Sequence, residues 1–283
     1  MMNRRQFLAG IGAAAALGAP ARLRAGAAFR LGLTPVFLDN DALVIDRLRA
    51  ALGQAMGAPV ELVQRRTYQE ITAAILDGSV DAAWICGYPF LQHRDALALL
   101  GVPVWRGRPL YQSYLITRPD DAARSLGDLR GRVHAFSDPD SNSGFLVTAS
   151  DLARMGETPE RFFSRTIFTY GHRNVVRAVA GGLAGSGSVD GYVWETLAIV
   201  EPALTERTRV VARSEWLGFP PFAARADRAG EDPVRRFGEV LRGLDASPAG
   251  RAVLGLLFLD RIARGDIALF DGIAARMALL ARR

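Results

Sequence analysis

The chain of 283 residues contains a single cysteine, Cys86, and no lysine. One thiol cannot form an intramolecular disulfide, and it cannot by itself build a cysteine-based zinc site or an iron–sulfur cluster. After the N-terminal region, no apolar segment approaches the roughly twenty residues needed to cross a bilayer as a helix. The sequence also lacks a Gly-x-Ser-x-Gly elbow, a Walker loop, a His-Glu-x-x-His motif and a dinucleotide-binding glycine pattern in context. These absences argue against disulfide-stabilised proteins, cysteine-based metal sites and the corresponding enzyme classes.

Because lysine is absent, the formal net charge of +6 rests on arginine. Four arginines, Arg4, Arg5, Arg22 and Arg24, precede Ala28 in a segment that has no acidic residue. Without that segment the formal net charge falls from +6 to +2. So small a surplus removes the main argument for nucleic-acid binding, whereas it is compatible with a small anionic ligand.

The first 27 residues have the three regions of an export signal. Residues 3–8 contain paired arginines, residues 9–19 are weakly apolar, and residues 25–27 are the small residues Ala-Gly-Ala. The paired arginines resemble those of a twin-arginine signal. We predict that residues 1–27 are cleaved near Ala27 and that the mature protein is soluble in the periplasm. A retained membrane anchor is the alternative, although the apolar run is short and rich in alanine and glycine.

Apolar, β-prone runs alternate with helical patterns along the remaining chain. The pattern predicts an α/β protein with mainly parallel sheets covered by helices, and such sheets bind ligands beyond the carboxyl ends of their strands. It includes a predicted helix at residues 90–99 and a predicted strand at residues 191–194. On that strand Tyr192 and Trp194 would share one face. The glycine- and serine-rich residues 181–188 are predicted to form a surface loop.

Residues 132–145, with the sequence RVHAFSDPDSNSGF, combine a strand, a turn and the start of a helix. The helical pattern begins at residues 141–144, Ser-Asn-Ser-Gly, which we call the cradle turn. The first amides of a helix have no partners within it and carry the positive end of the helix dipole, so they favour an anion. Alternatively, Ser141 or Ser143 only caps its own helix, as serine commonly does. The local sequence leaves both interpretations open.

Polar and aromatic side chains gather at several predicted strand ends. Hydroxyl, imidazole and N–H groups at such positions are typical of a cleft that binds an anion. The residues concerned are Cys86, Gly87 and Tyr88 after one strand, Tyr111 and Ser113 before another, His172 after a third, and Glu195 after the predicted strand at 191–194.

Four stretches together resemble the periplasmic substrate-binding proteins of phosphonate, phosphite and phosphate ABC transporters. They are residues 67–84, residues 111–113, residues 138–144, and His172 with the segments at 178–181 and 189–190. The resemblance implies a two-lobed, type II-like periplasmic binding protein whose lobes close on the ligand like a hinge. The first lobe would be discontinuous, comprising residues 28–112 and 212–283, and the second lobe would comprise residues 113–211.

The same resemblance implies a set of ligand-binding residues that converge on one oxyanion. Two positions depart from the family pattern, because Asn142 stands where threonine is usual and Cys86 stands where an apolar residue is common. The residues carried over are Tyr68, Tyr111, Ser113, Ser141, Asn142, Ser143, Gly144 and His172.

Several alternatives remain at individual residues. Tyr68 could serve only packing, and His172 could satisfy a buried carbonyl. Glu195 beside an oxyanion would repel it unless the ligand carries a proton or a cation. Cys86 is either a small buried residue or, as a thiolate, a contact for a thiophilic oxyanion such as arsenite.

The resemblance implies a partner at the membrane and no cofactor. That partner would be an ABC permease or, in the alternative function of an oxyanion sensor, a histidine kinase. We expect a monomer that binds no nucleic acid. An enzyme built on Ser141, His172 and Glu195 is disfavoured, because a serine in the cradle turn suits anion binding better than nucleophilic attack.

Overall fold

The computed structural model describes residues 28–35 and 42–281. The predicted export signal and its cleavage near Ala27 lie outside these residues. Thirteen β-strands and eleven α-helices form within the described part of the chain.

The strands, in chain order, are β1 (Phe29–Leu33), β2 (Val60–Gln64), β3 (Ala82–Trp84), β4 (Leu97–Val104), β5 (Leu110–Tyr111), β6 (Ser113–Thr117), β7 (Val133–Phe136), β8 (Arg165–Phe168), β9 (Ser186–Asp190), β10 (Arg209–Arg213), β11 (Leu217–Gly218), β12 (Phe222–Arg225) and β13 (Arg261–Ala263). The helices are α1 (Ala42–Met56), α2 (Tyr68–Leu76), α3 (Gly87–Gln92), α4 (Val147–Arg154), α5 (Pro159–Phe162), α6 (His172–Ala180), α7 (Gly191–Val200), α8 (Pro202–Thr205), α9 (Asp232–Arg242), α10 (Pro248–Leu256) and α11 (Asp271–Ala281). A π-helical turn, Asn142–Leu146, runs directly into α4.

Two sheets organise the molecule, which confirms the α/β prediction. The first has six strands in the order β13-β4-β12-β3-β1-β2, and the second has five in the order β10-β6-β9-β7-β8. The finer prediction of mainly parallel sheets is wrong, because both sheets are mixed. β1 and β7 pair in parallel with both neighbours, whereas β12 and β6 pair antiparallel with theirs, and β4 also pairs antiparallel with β13. We keep the names first lobe and second lobe for the six- and five-stranded sheets with the helices packed on them.

The chain passes between the lobes through two neighbouring segments. Beside them, β5 pairs with β11 in a separate two-stranded sheet. The N–H of Ser113 donates to Ser214 Oγ over 2.9 Å, and the N–H of Ser214 donates to Ser113 O over 2.9 Å. The predicted lobe boundary at 211/212 falls inside β10, which pairs with β6 as far as Arg213. These paired segments form the connection between the lobes.

Three predicted elements are wrong. Residues 191–194 begin helix α7, and the strand before them is β9, which begins within the predicted loop at 181–188 and extends past it to Asp190. Small residues fill β9 because helix α6 packs closely on it: a Cβ at Gly187 would lie 2.5 Å from Val175 Cγ1. Residues 90–99 are likewise not one helix, because α3 ends at Gln92 and β4 begins at Leu97.

Tyr192 and Trp194 therefore lie on a helix and do not share a face as predicted, because residues two apart on a helix point in different directions. The Tyr192 hydroxyl donates to the carbonyl of Leu257 over 2.6 Å, across to the first lobe. The Trp194 indole N–H donates to Thr208 Oγ1 over 3.0 Å.

Across residues 28–35 and 42–281, none of the helices combines the length and the apolar character needed to cross a membrane. The same residues contain no group of three or more His, Cys, Asp or Glu side chains placed to hold a metal ion.

Candidate functional site

A small cavity lies between the two lobes, and residues from both of them line it. The first lobe contributes seven of the ten lining residues and the second lobe three. They are Thr34, Tyr68, Trp84, Ile85, Cys86, Tyr111 and Pro220, facing Ser143, His172 and Asp190. The structure thus brings five of the predicted site residues, Tyr68, Cys86, Tyr111, Ser143 and His172, to one cavity.

The cradle turn forms the N-terminus of the π-helical turn, as the sequence predicts for the start of a helix. Ser141 is the N-cap, and its Oγ accepts the N–H of Gly144 over 3.0 Å. The N–H of Asn142 donates to Cys86 Sγ in the first lobe over 3.3 Å. Ser113 supports the turn from the connecting strand, because its hydroxyl donates to the carbonyl of Ser143 over 2.6 Å. Ser141 therefore does cap its own helix, and of the two serines in the turn it is Ser143 that lines the cavity.

Tyr68 is held at the cavity by the way helix α2 begins. Thr67 caps that helix, and its hydroxyl and Glu70 form a reciprocal capping box. Tyr68 is the first residue of the helix, so its N–H has no partner within the helix. It donates to Asp138 Oδ2 of the second lobe over 3.2 Å. Asp138 is fully buried, and burial raises the pKa of its carboxyl above the ordinary value. A carboxylate at a helix N-terminus is favourable, so this contact fastens the lobes together beside the cavity.

His172 is a neutral hydrogen-bond relay. Its Nδ1 accepts the backbone N–H of Asp190 over 3.1 Å, so this nitrogen carries no proton. Burial lowers the pKa of the imidazole to about 3, and a neutral imidazole then has its proton on Nε2. Nε2 lies 3.2 Å from the Tyr68 hydroxyl and must donate to it. The phenolic proton of Tyr68 is thereby left to point elsewhere.

Tyr111, like Tyr68, accepts a hydrogen bond from a residue of the second lobe. It is fully buried, and its hydroxyl accepts a hydrogen bond from Asn142 Nδ2 over 2.9 Å. Burial, followed by the nearby Cys86 and Asp190, raises the pKa of the Tyr111 phenol well above its ordinary value, as burial does for Tyr68. Both phenols therefore keep their protons and remain donors at neutral pH.

Asp190 is the acidic group of the cavity, and the sequence analysis did not include it among the site residues. It ends β9 and caps α7, and its Oδ1 accepts the N–H groups of Tyr192 and Val193 over 2.8 and 3.3 Å. Burial raises its pKa to about 7 in spite of these two hydrogen bonds. Its position directly before a helix could have identified it as an N-cap residue. The sequence pattern instead predicted a strand at residues 191–194, so this signal was not recognised.

We expect Asp190→Asn to stabilise the ligand-free protein at pH 8. An acid whose pKa is about 7 when folded and near 4 when unfolded reduces stability progressively as pH rises through that interval, and the reduction is complete above pH 7. Asparagine also caps helices well, so the cap survives the change. The gain in unfolding free energy should reach a few kcal/mol at pH 8 and shrink toward pH 4. Urea unfolding at both pH values measures it, and an equal effect at both would contradict the assignment.

Cys86 lies at the N-cap of α3 with its Sγ on the cavity. Burial raises the pKa of the thiol to about 12, although N–H groups of Tyr88 and Asn142 donate to the sulfur. The residue is therefore a protonated thiol at neutral pH. Gly87 and Tyr88 begin helix α3 outside the set of lining residues, and Tyr88 is half-buried.

Glu195 lies apart from the other predicted site residues. Its carboxylate accepts hydrogen bonds from the Tyr114 hydroxyl over 2.9 Å and from Arg106 over 3.4 Å. Because both His172 nitrogens are occupied by Asp190 and Tyr68, Glu195 is not hydrogen-bonded to the imidazole.

The cavity wall formed by Thr34, Trp84, Ile85 and Pro220 of the first lobe offers no free hydrogen-bond donor, because its polar groups bond to one another. The Thr34 hydroxyl donates to the carbonyl of Trp84, and the Trp84 indole N–H donates to the carbonyl of Pro220 over 2.9 Å. Ile85 completes this wall. These residues are not among the predicted site residues, since contacts between positions 50 and 136 residues apart leave no local signal.

Comparisons with known proteins agree with this architecture. The family model for the periplasmic substrate-binding protein of phosphonate ABC transporters matches residues 31–269. The phosphate-import protein PhnD of Mycolicibacterium smegmatis is 28% identical over 192 residues, which cover 63% of this chain and 60% of that relative. The match therefore spans less than two thirds of that protein's length.

Solved structures show the same fold. The binding-protein component of an ABC phosphonate transporter from Pseudomonas aeruginosa superposes with a TM-score of 0.80 at 20% identity, covering 88% of this chain and 85% of that one. PhnD1 from Prochlorococcus marinus, solved with methylphosphonate, gives a TM-score of 0.79 at 16% identity, covering 90% of this chain and 99% of that one. With a family model that matches most of its length, the chain belongs to the family of periplasmic substrate-binding proteins of phosphonate ABC transporters.

Proposed function

We propose that the protein captures a small phosphorus oxyanion in the interlobe cavity and delivers it to an ABC permease. The observation that carries the proposal is the orientation of the two buried phenols. Tyr68 accepts a hydrogen bond from His172, and Tyr111 accepts one from Asn142, so neither of these partners takes up a phenolic proton. Tyr111 also interacts with the side chain of Ser143, which lines the same cavity, so both phenolic protons remain on the cavity side. Two donors from the first lobe, facing the hydroxyl of Ser143 in the cradle turn, suit an anion bound between the lobes.

The ligand would be held by neutral donors rather than by a counter-ion. Among the described residues that line the cavity, none is an arginine, and His172 is neutral. The acid Asp190 would repel a fully ionised oxyanion, whereas its carboxylate would accept a hydrogen bond from a ligand that carries a P–OH group. The proposal therefore favours phosphorus oxyanions, which keep a proton near neutral pH, over sulfate.

The apolar wall narrows the choice among phosphorus oxyanions. An oxygen placed against Trp84, Ile85 and Pro220 would find no donor, because the polar groups there are already paired. Leaving an ionised oxygen without a hydrogen bond is costly, so a P–H or P–CH3 group fits this side better. Phosphite and methylphosphonate are accordingly the favoured ligands, ahead of phosphate.

The remaining parts of the proposal follow from the family and the predicted signal. The protein acts in the periplasm as a monomer without a cofactor, after export by residues 1–27 and cleavage near Ala27, and it has no catalytic role. Neither a nucleic acid nor a sensor kinase is needed as a partner. The arsenite-sensor alternative depended on a thiolate, and the high pKa of Cys86 argues against one.

Calorimetric titration of the purified protein tests the proposal. We expect phosphite or methylphosphonate to bind most tightly, phosphate to bind more weakly and sulfate not to bind. The double variant Ser141→Ala, Ser143→Ala should weaken binding by about tenfold or more, since it removes the N-cap and a cavity hydroxyl. Ser164→Ala, which changes an exposed serine of the second lobe, is the matched control.

Two results would contradict this function. If sulfate bound as tightly as the phosphorus oxyanions, Asp190 could not be selecting ligands that carry a proton. Binding of arsenite alone, lost in Cys86→Ser, would establish the sensor alternative instead.

A further inference from the structure

Arg276 is a buried charge at the junction of the two lobes. It lies in the C-terminal helix α11 and exposes 2% of its surface. On one side, its Nε and Nη2 donate to both carboxylate oxygens of Glu215 over 2.8 and 2.6 Å. Glu215 belongs to the segment that returns from the second lobe to the first, between β10 and β11. This paired contact ties α11 to the connection between the lobes.

On its other side, Arg276 holds one helix of the second lobe. Nη1 lies 3.0 Å from the carbonyl of Val147, 2.6 Å from Ser150 Oγ and 2.8 Å from Asp151 Oδ1. All three belong to α4, which continues the π-helical turn and thus the cradle turn. Arg276 itself is not among the residues that line the cavity. It contacts the helix that continues the cradle turn without lining the cavity.

We propose that Arg276 is a positioning residue for oxyanion binding, which fastens α4, the helix that follows the cradle turn, to the first lobe in the closed form. The inference rests on the proposed function. The pair with Glu215 can stay intact when the lobes separate, whereas the three bonds to α4 join one lobe to the other. Opening must break those bonds, so Arg276 prolongs the time for which the ligand stays enclosed.

The charges around Arg276 make this role testable by substitution. Both acidic partners are partly solvated, with side-chain exposures of 35% for Asp151 and 48% for Glu215. A variant that lacks the guanidinium therefore leaves no fully buried, unpaired carboxylate, which would be the strongest obstacle to folding. Arg154 provides a matched control, because it pairs with the same Asp151 oxygen at 2.8 Å but lies on α4 itself and joins no lobes.

The experiment compares Arg276→Met, Asp151→Asn, their combination and Arg154→Met in the purified protein. Phosphite, phosphate and methylphosphonate serve as probes, with dissociation constants from calorimetry and dissociation rates from stopped-flow fluorescence. We expect Arg276→Met to raise Kd by about tenfold or more, mainly through faster dissociation, and Arg154→Met to change it by less than about twofold. The fold-loss of affinity in the combined Arg276→Met, Asp151→Asn variant should be smaller than the product of the two single fold-losses, since both substitutions remove the same contact.

Other outcomes would overturn the inference. Wild-type Kd and dissociation rate in Arg276→Met would do so directly. The inference would also fail if Arg276 served only stability. In that case Arg276→Met would have a lower Tm and a smaller bound fraction, while its folded molecules would keep the wild-type Kd. If the wild-type protein binds none of the three probes, the proposed function fails first, and that result is distinct from a normal wild type beside an unaffected variant.

Discussion

Replacing Tyr68 and Tyr111 together by phenylalanine should weaken oxyanion binding roughly 100- to 10,000-fold. Each phenol is held as a donor by a hydrogen bond that it accepts from the opposite lobe. A hydrogen bond to a charged group contributes about 1.5–3 kcal/mol, and two such bonds account for the expected range. Calorimetric titration with phosphite and methylphosphonate measures the loss, and each single variant should show about half of it in free energy.

Tyr114→Phe is the control for this pair. Tyr114 is buried on β6, and its hydroxyl donates to Glu195, which lies apart from the cavity. We expect its ligand affinity to stay within about twofold of the wild type. The double variant also leaves His172 and Asn142 without their acceptors, which should lower the unfolding free energy by about 1–3 kcal/mol per group. An affinity unchanged in the double variant would show that the phenols do not contact the ligand.

Gly144→Ala should disrupt the cradle turn. A Cβ at this position would lie 1.8 Å from Ser137 Oγ and 2.7 Å from Ser137 Cβ, so the turn must move away from the strand that precedes it. Overpacking of this kind costs about 1–3 kcal/mol of stability. Displacing the turn, and with it the Ser143 hydroxyl at the cavity, should also weaken oxyanion binding by more than about tenfold. Urea unfolding and calorimetric titration measure the two effects separately.

Gly255→Ala is the corresponding control, because Gly255 lies in helix α10 and a Cβ there meets no atom within 4 Å. Alanine favours a helix over glycine by up to about 1 kcal/mol, so this variant should be neutral or slightly more stable. Adding Ser137→Gly to Gly144→Ala removes the clashing side chain and should restore part of the lost stability. Normal binding and stability in Gly144→Ala alone would contradict the tight packing of the turn.

The parts of the site that follow local rules were predictable from the sequence. The start of a helix at residues 141–144 and the position of Tyr68 after Thr67 both depend on capping residues a few positions apart. The fold class was predictable for a similar reason, because the periodicity of apolar residues is local.

Long-range packing explains what the sequence could not supply. The strand β9 lacks β-branched residues over most of its length, because helix α6 approaches Gly187 too closely for a side chain. A run of serine and glycine therefore resembled a loop, and Asp190 at its end was missed as a cavity residue. The pairing of Asn142 with Cys86 and Tyr111 has the same origin, since it joins positions that are 56 and 31 residues apart. Asn142 and Cys86, the two departures from the family pattern, contact each other directly between the lobes, and the sequence alone presented them as unrelated.

The π-helical turn determines which way two faces of one helix point. A π turn holds one residue more than an α turn, so the residues after it are rotated by about 100° relative to an uninterrupted α-helix. Upstream of the extra residue lie the amides of the cradle turn, and downstream lie Ser150 and Asp151, which face Arg276. Deleting a single residue from Asn142–Leu146 would conserve the composition of both faces and yet turn one of them away from its partner. The number of residues in this turn therefore fixes how the two faces are oriented relative to each other. Insertions or deletions in the turn should be far less tolerated than substitutions.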